Sequence, residues 1–419
     1  MHSDTHAAQT PQTHAAPLVP LDPTASDLHG EVERLRAIGP LVRITMPGDV
    51  PAWVATRHQV LRELLEDPRV AKNSEHWSAL TDGTVPDGWP LIDFVTNPGM
   101  TTADGDDHRR LRTLVTKAFT PRRVAAMRPD IEASVDSLLD SLATHAPGPV
   151  DLRRHFAYPL PMRMIGQLLG VPSERFDEFR HLSASLISST TSPEETLETG
   201  RKLYALLTDL VASKRAAPGE DLTSALIDVR EDGDRLTEAE LTGTLTLMLI
   251  AGHGTTLNLI TNAVRALLTH PEQLAAVRSG ERPWGAVIEE TLRWNSPVAH
   301  FPMRYATEDI TVGEVTIPKG EALLASYVAA GRDPEQYGPD AGEFDISRES
   351  IRHLSFGHGP HFCIGAGVAR LEAEVALPAL FDRFPELALG VPEAELTAQP
   401  SFVSNSVAKL PVTLGGDDA

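Results

Sequence analysis

From Thr237 to His270 the chain carries apolar side chains at helical spacing, with no proline until Pro271. The Thr237 hydroxyl is placed to cap this run, and Glu240 to reach back as the capping-box partner. The result is one buried helix of roughly nine turns at 3.6 residues each. A helix of that length sets the frame, because the rest of the fold has to cover it. Its middle, Ala251-Gly252-His253-Gly254-Thr255-Thr256, holds two glycines, each costing about 1 kcal/mol relative to alanine. The threonines can bond back to the preceding turn. So weak a stretch in so long a helix calls for an explanation.

Around that helix, leucine- and alanine-rich segments of helical period run from about residue 105 to 295, cut by loops such as HAPGPV and KRAAPGED. Short β-branched runs lie near Leu41 to Thr45, Pro51 to Ala55 and Ile310 to Ile317, the last turning at Gly313, with further pieces near Leu323 and Lys409. The expected fold class is mainly α with a smaller β-rich region. No repeat of fixed period appears, so residues 21–414 read as one unit between a disordered tail at 1–20 and a short tail at 415–419.

The formal charge of −21 argues against nucleic acid or an anionic membrane as a partner. The first twenty residues have neither a basic nor an apolar segment of the signal-peptide kind, and no apolar run reaches the length of a spanning helix. A cytoplasmic, soluble protein is expected. Its single cysteine suits a reducing compartment and removes any multi-thiolate zinc reading.

That cysteine stands in Phe356-Gly-His-Gly359-Pro-His361-Phe-Cys363-Ile-Gly365-Ala-Gly367, ahead of a helical run from Val368 to Leu380. At a helix N-terminus, the dipole and unpaired N–H groups favour thiolate over thiol. Flanking glycines let the backbone approach a flat, bulky cofactor. Alone, Cys363 would read as a buried structural thiol. Its surroundings decide otherwise: an aromatic, a glycine three on, the cysteine four further and a glycine two further resemble the haem-binding signature of the cytochrome P-450 superfamily.

The resemblance implies a triangular helical prism around haem b (iron protoporphyrin IX), with Cys363 as the axial metal ligand. It places Phe356 beside the sulfur and His361 at a propionate. His108, Arg112 and Arg304 stand at further propionate positions, the first two on one apolar-striped helix. Glu290 and Arg293, with Arg348, resemble the triad that holds the cysteine loop. Ala251, Gly254 and Thr255 match the oxygen-binding groove, where Thr255 helps deliver protons; Gly254, however, stands in the place of the family's acid. His253 points about 100° away and is expected to face solvent or pack. The substrate pocket is expected from Trp77 to Thr102, Leu182 to Ser192, Met248 to Ala251, Val298 to Phe301 and Phe402 to Val403.

The function implied is a haem-dependent monooxygenase of the soluble actinobacterial type, inserting one oxygen atom from O2 into a medium-sized apolar substrate such as a macrolide or steroid. Oxidative coupling or ring closure at the same centre is the alternative, and a haem-binding sensor or silent binding protein the third reading. No dinucleotide fingerprint follows a strand, so a separate ferredoxin and ferredoxin reductase are expected to bring electrons. Arg109, Arg110, Lys117, Arg122 and Arg123 form a basic cluster suited to an acidic ferredoxin.

Overall fold

The computed structural model describes residues 18–415 apart from 87, 90, 187–191, 231–232 and 350. Six helices position the site: α1 (Gly105–Ala118), α2 (Arg128–Ala143), α3 (Pro159–Leu169), α4 (Glu238–Thr269), α5 (Trp284–Trp294) and α6 (Ala366–Arg383). The capping box at the start of α4 forms as the sequence predicts. Glu240 N–H donates to Thr237 Oγ1 at 3.3 Å, and Thr237 N–H donates to Glu240 Oε2 at 2.8 Å.

The apolar side chains of α4 serve two cores. Toward its N-terminus, Leu241, Leu245 and Leu249 pack with Leu111 and Leu114 of α1 and Ile165 and Leu169 of α3. Toward its C-terminus, Leu257, Ile260, Ala263 and Leu267 pack with Leu138 of α2, Val287 of α5 and Leu377 of α6. Each such leucine or isoleucine contributes about 1.5–3 kcal/mol of burial, so α4 is fixed along its whole length. Gly252 is explained by this packing: a Cβ there would lie 3.1 Å from Ile165 Cδ1, so glycine lets α3 come close. At Gly243 a Cβ would collide with the Pro98 carbonyl.

The β-rich region centres on a six-stranded sheet of β1 (Val19–Pro20), β2 (Leu41–Met46), β3 (Val50–Ala55), β4 (Val70–Ala71), β5 (His300–Ala306) and β6 (Ala322–Ser326). Its strand order is β1-β2-β3-β6-β5-β4. The expected hairpin forms as Ile310–Val312 against Val315–Ile317, with Gly313 at φ +61°. Near Lys409 the strand is Pro411–Thr413. Residues 1–17 and 416–419 of the expected tails lie outside the described residues. The N-terminal tail boundary moves: Val19 and Pro20 pair in parallel with Ile44 and Thr45. Among the described residues, no helix is long and apolar enough to cross a membrane.

Candidate active site

The segment leading to Cys363 is shaped by glycines that the turns require. Gly357 and Gly359 have φ of +73° and +69°, and a Cβ on Gly359 would lie 2.8 Å from the Leu65 carbonyl oxygen. Cys363 N–H then donates to the Phe356 carbonyl at 2.8 Å, closing the loop just before α6 begins at Ala366. The N–H groups of Gly365 and Ala366 point at the sulfur, with the Arg112 guanidinium nearby. Burial nevertheless outweighs these and pushes the thiol above its ordinary range. A coordinated metal ion would deprotonate the sulfur outright.

The loop is anchored from α5. Glu290 accepts from Arg293 Nε at 2.7 Å and Nη2 at 2.6 Å, and both side chains are fully buried. Arg293 also donates to the carbonyls of Gly331, Ala341 and Glu343, each at 2.7 Å. Arg348 Nε stands 3.4 Å from Glu290 Oε1, completing the predicted triad. The neighbouring Glu289 pairs with Arg370 of α6 at 2.6 Å, and Arg370 lies 4.5 Å over the Phe356 ring. Sequence reasoning missed this second anchor, since an acid beside Glu290 carries no spacing signal of its own.

Cationic groups converge beside the cysteine. His108 of α1 and His361 lie 4.1 Å apart between ring centroids, and Arg112 Nη2 donates to the Phe362 carbonyl at 2.7 Å. Arg304 is buried on β5, and its Nη1 and His108 Nε2 have no hydrogen-bond partner. Lys72, also buried, donates from Nζ to the Met303 carbonyl at 2.8 Å. Among the described residues the one carboxylate paired with this group, Asp104, accepts the N–H groups of Lys72 and Asn73 and stands 4.0 Å from His361 Nε2. Burial, then His108, Lys72, Arg304 and Arg112 in turn, depress the His361 pKa to about 2. Unpartnered buried donors crowded around a single acid call for further negative charge. The donor set fits haem: a cysteine sulfur for iron, and His108, Arg112, Arg304 and His361 toward propionates.

One residue of this neighbourhood, Lys72, escaped the sequence reading of site residues. His300, inside the expected pocket segment Val298 to Phe301, is fully buried on β5, with neither ring nitrogen partnered and its pKa lowered to about 4 by burial.

On α4, Thr255 Oγ1 donates to the Ala251 carbonyl at 2.8 Å, Ala251 is exposed and Gly254 is buried. Of the two roles open to His253, packing is the one observed. It is 2 % exposed and meets Tyr158 edge-on at 4.5 Å. In the expected pocket segment Trp77 to Thr102, Trp77 and Trp89 lie in the core, Trp77 stacked on Tyr305 at 5.6 Å. Leu182 and Phe402 are also core, and residues 187–191 lie outside the described residues. The basic cluster is partly neutralised: Arg109 pairs with Asp106, and Arg110 pairs with Glu240 and, at 3.0 Å, with Asp234. Arg110 is thus tied to the start of α4 rather than simply solvated.

A sequence model described as Cytochrome P450 matches residues 285–405. The chain is 45% identical over 398 residues, 94% of its own length and 97% of the other's, to 2-hydroxy-5-methyl-1-naphthoate 7-hydroxylase of Streptomyces carzinostaticus. This chain belongs to the cytochrome P450 family. It is a cytochrome P450 monooxygenase, and the family implies a haem-thiolate cofactor. It is also 39% identical over 391 residues, 93% of this chain and 91% of the other, to cytochrome P450 monooxygenase PikC of Streptomyces venezuelae. The structure described as "Testerone bound CYP154C4 from Streptomyces sp. ATCC 11861" superposes with a TM-score of 0.92 at 50% identity, covering 95% of this chain and 98% of that one. The expected cytochrome P450 fold is therefore the observed one.

Proposed function

We propose that this cytochrome P450 holds haem b through Cys363 and hydroxylates a medium-sized apolar substrate of the macrolide, steroid or polycyclic secondary-metabolite kind. The observation that carries the reading is the cluster of His108, Arg112 and Arg304 around His361, two residues before Cys363, with His108 Nε2 and Arg304 Nη1 unpartnered and Arg112 also close to the sulfur. Support for the substrate class comes from the naphthoate hydroxylase, from PikC and from the ligand named for CYP154C4. When bound, haem activates dioxygen so that one oxygen atom enters a C–H bond and the other leaves as water, consuming two electrons and two protons.

The chain's own residues do the rest. Arg112, Arg304, His108 and His361 orient the propionates; Phe356 shields the sulfur; Ala251 and Gly254 leave room on α4. Thr255 Oγ1 holds a proton that it shares with the Ala251 carbonyl and can pass onward. Residues 19–414 act as one catalytic domain in the cytoplasm, and a ferredoxin with its reductase supplies electrons. Screening apolar metabolites for a change in iron spin state, then weighing the products, tests the reading. A gain of one oxygen atom is expected.

Gly254 favours a second reading, since the residue offers no titratable group where the family resemblance expects an acid. Oxidative coupling or ring closure would yield a product lighter by two hydrogens, with no oxygen gained.

A further inference from the structure

Away from Cys363, the π-helical turn Arg153–Ala157, the start of α3 and the residues before Pro411–Thr413 enclose an open cleft of about 700 Å³. That volume accommodates a medium-sized organic molecule. Tyr158, Met162 and Phe176 give it an apolar floor, and Arg154, Arg163 and Lys409 ring it. Among the described residues, no acid pairs with any of these three cations, in a chain whose net charge is −21. Asp151 also lines the cleft, but its Oδ1 accepts the Leu410 N–H at 3.0 Å; Asp177 lies at the exposed rim. Cations around an aromatic floor suit a flat apolar body bearing a carboxylate.

Behind two of its lining residues, Tyr158 and Arg153, lies the catalytic helix. Tyr158 meets His253 edge-on at 4.5 Å, and His253 lies two residues from both Ala251 and Thr255, about 200° around α4. Arg153, also in the wall, donates to Asn258 Oδ1 at 3.0 Å and to Ser406 Oγ at 3.2 Å. Asn258 in turn donates to the Pro297 carbonyl at 3.1 Å, in the segment that leads into β5 and Arg304. Two side chains of the cleft therefore touch α4 on either side of Thr255.

We propose that this cleft is a second small-molecule site, distinct from the haem pocket, which binds an aryl carboxylate and shifts ligand affinity at the haem through Tyr158–His253 and Arg153–Asn258. The occupant's carboxylate meets Arg154, Arg163 and Lys409, and its ring stacks on Tyr158 and Phe176. Ordering Tyr158 changes how His253 seats in α4. Linkage then requires the haem ligand to alter aryl carboxylate binding by the same factor.

The test uses holoenzyme, with clotrimazole filling the haem pocket and 1-naphthoate as the probe in calorimetry. One naphthoate is expected to bind per chain, at least tenfold more weakly to Arg163→Glu/Lys409→Glu, with the neutral 1-naphthamide failing to compete. Naphthoate should change clotrimazole affinity severalfold in wild type and less in His253→Leu, whose side chain lies behind the cleft lining and which is expected to keep naphthoate binding. No binding to the clotrimazole-filled enzyme, or equal binding by the charge-reversed variant, overturns the site. Binding without any change in clotrimazole affinity overturns the coupling. The azole's own spectral shift reports the haem pocket separately, so failure at the cleft leaves the proposed function standing.

Discussion

The imidazoles of His108 and His361 lie 4.1 Å apart between centroids, joining α1 to the cysteine loop. Neither ring meets a carboxylate closer than Asp104, at 4.0 Å from His361, and Arg304 completes the group from β5. If these donors bind propionates, Arg304→Gln and His108→Leu should each release haem faster. A hydrogen bond to a charged group contributes about 1.5–3 kcal/mol, which corresponds to roughly ten- to hundredfold in the rate of haem transfer to apomyoglobin. Arg109→Gln, on the exposed side of the same helix, is the control and should transfer at the wild-type rate.

Glu290 is the keystone of the anchoring network, because two arginines and the Asp345 N–H converge on its carboxylate. Glu290→Ala leaves Arg293 buried and unpaired, a loss of about 3–5 kcal/mol. Urea unfolding of the holoprotein should show that loss. A midpoint unchanged from wild type would mean the pair is not structural.

Much of this site was legible in the sequence. The capping box at Thr237 rests on short-range spacing, and the Glu290, Arg293 and Arg348 set on the family resemblance; both form as expected. What was not legible depends on long-range packing. Lys72 and the Glu289–Arg370 pair gain meaning only when distant segments of the chain meet. Within the expected pocket segment Trp77 to Thr102, Trp77 and Trp89 pack in the core beside the sheet.

Gly254 is buried one position before Thr255 and brings no titratable group to the proton route. Water in the space beside Thr255 is the expected carrier. Gly254→Ala should then lower product formed per NAD(P)H consumed while leaving substrate affinity close to wild type, and Gly254→Glu should show whether a restored acid raises that ratio. Loss of affinity with the ratio intact would show that glycine serves only to make room for substrate.

Glu372 of α6 is fully buried with Oε2 unpartnered, and burial raises its pKa from 4.5 to about 8. Between those values the folded chain keeps a proton that the unfolded chain has released. Stability from this group is therefore present below pH 4.5, falls as pH rises toward about 8 and is flat beyond. The slope is at most about 1.4 kcal/mol per pH unit. Glu372→Gln should remove it, so unfolding free energies measured from pH 6 to pH 8 should fall less in the variant than in wild type. Parallel slopes would contradict the assignment.

The central claim is that Cys363 carries the haem iron as a thiolate. The most direct measurement is the absorption spectrum of reduced protein under carbon monoxide, for wild type and Cys363→His. Wild type should show the strongly red-shifted Soret band of thiolate haem, and the histidine variant should lose it while still binding haem; a thiolate spectrum that persists in Cys363→His would contradict the account.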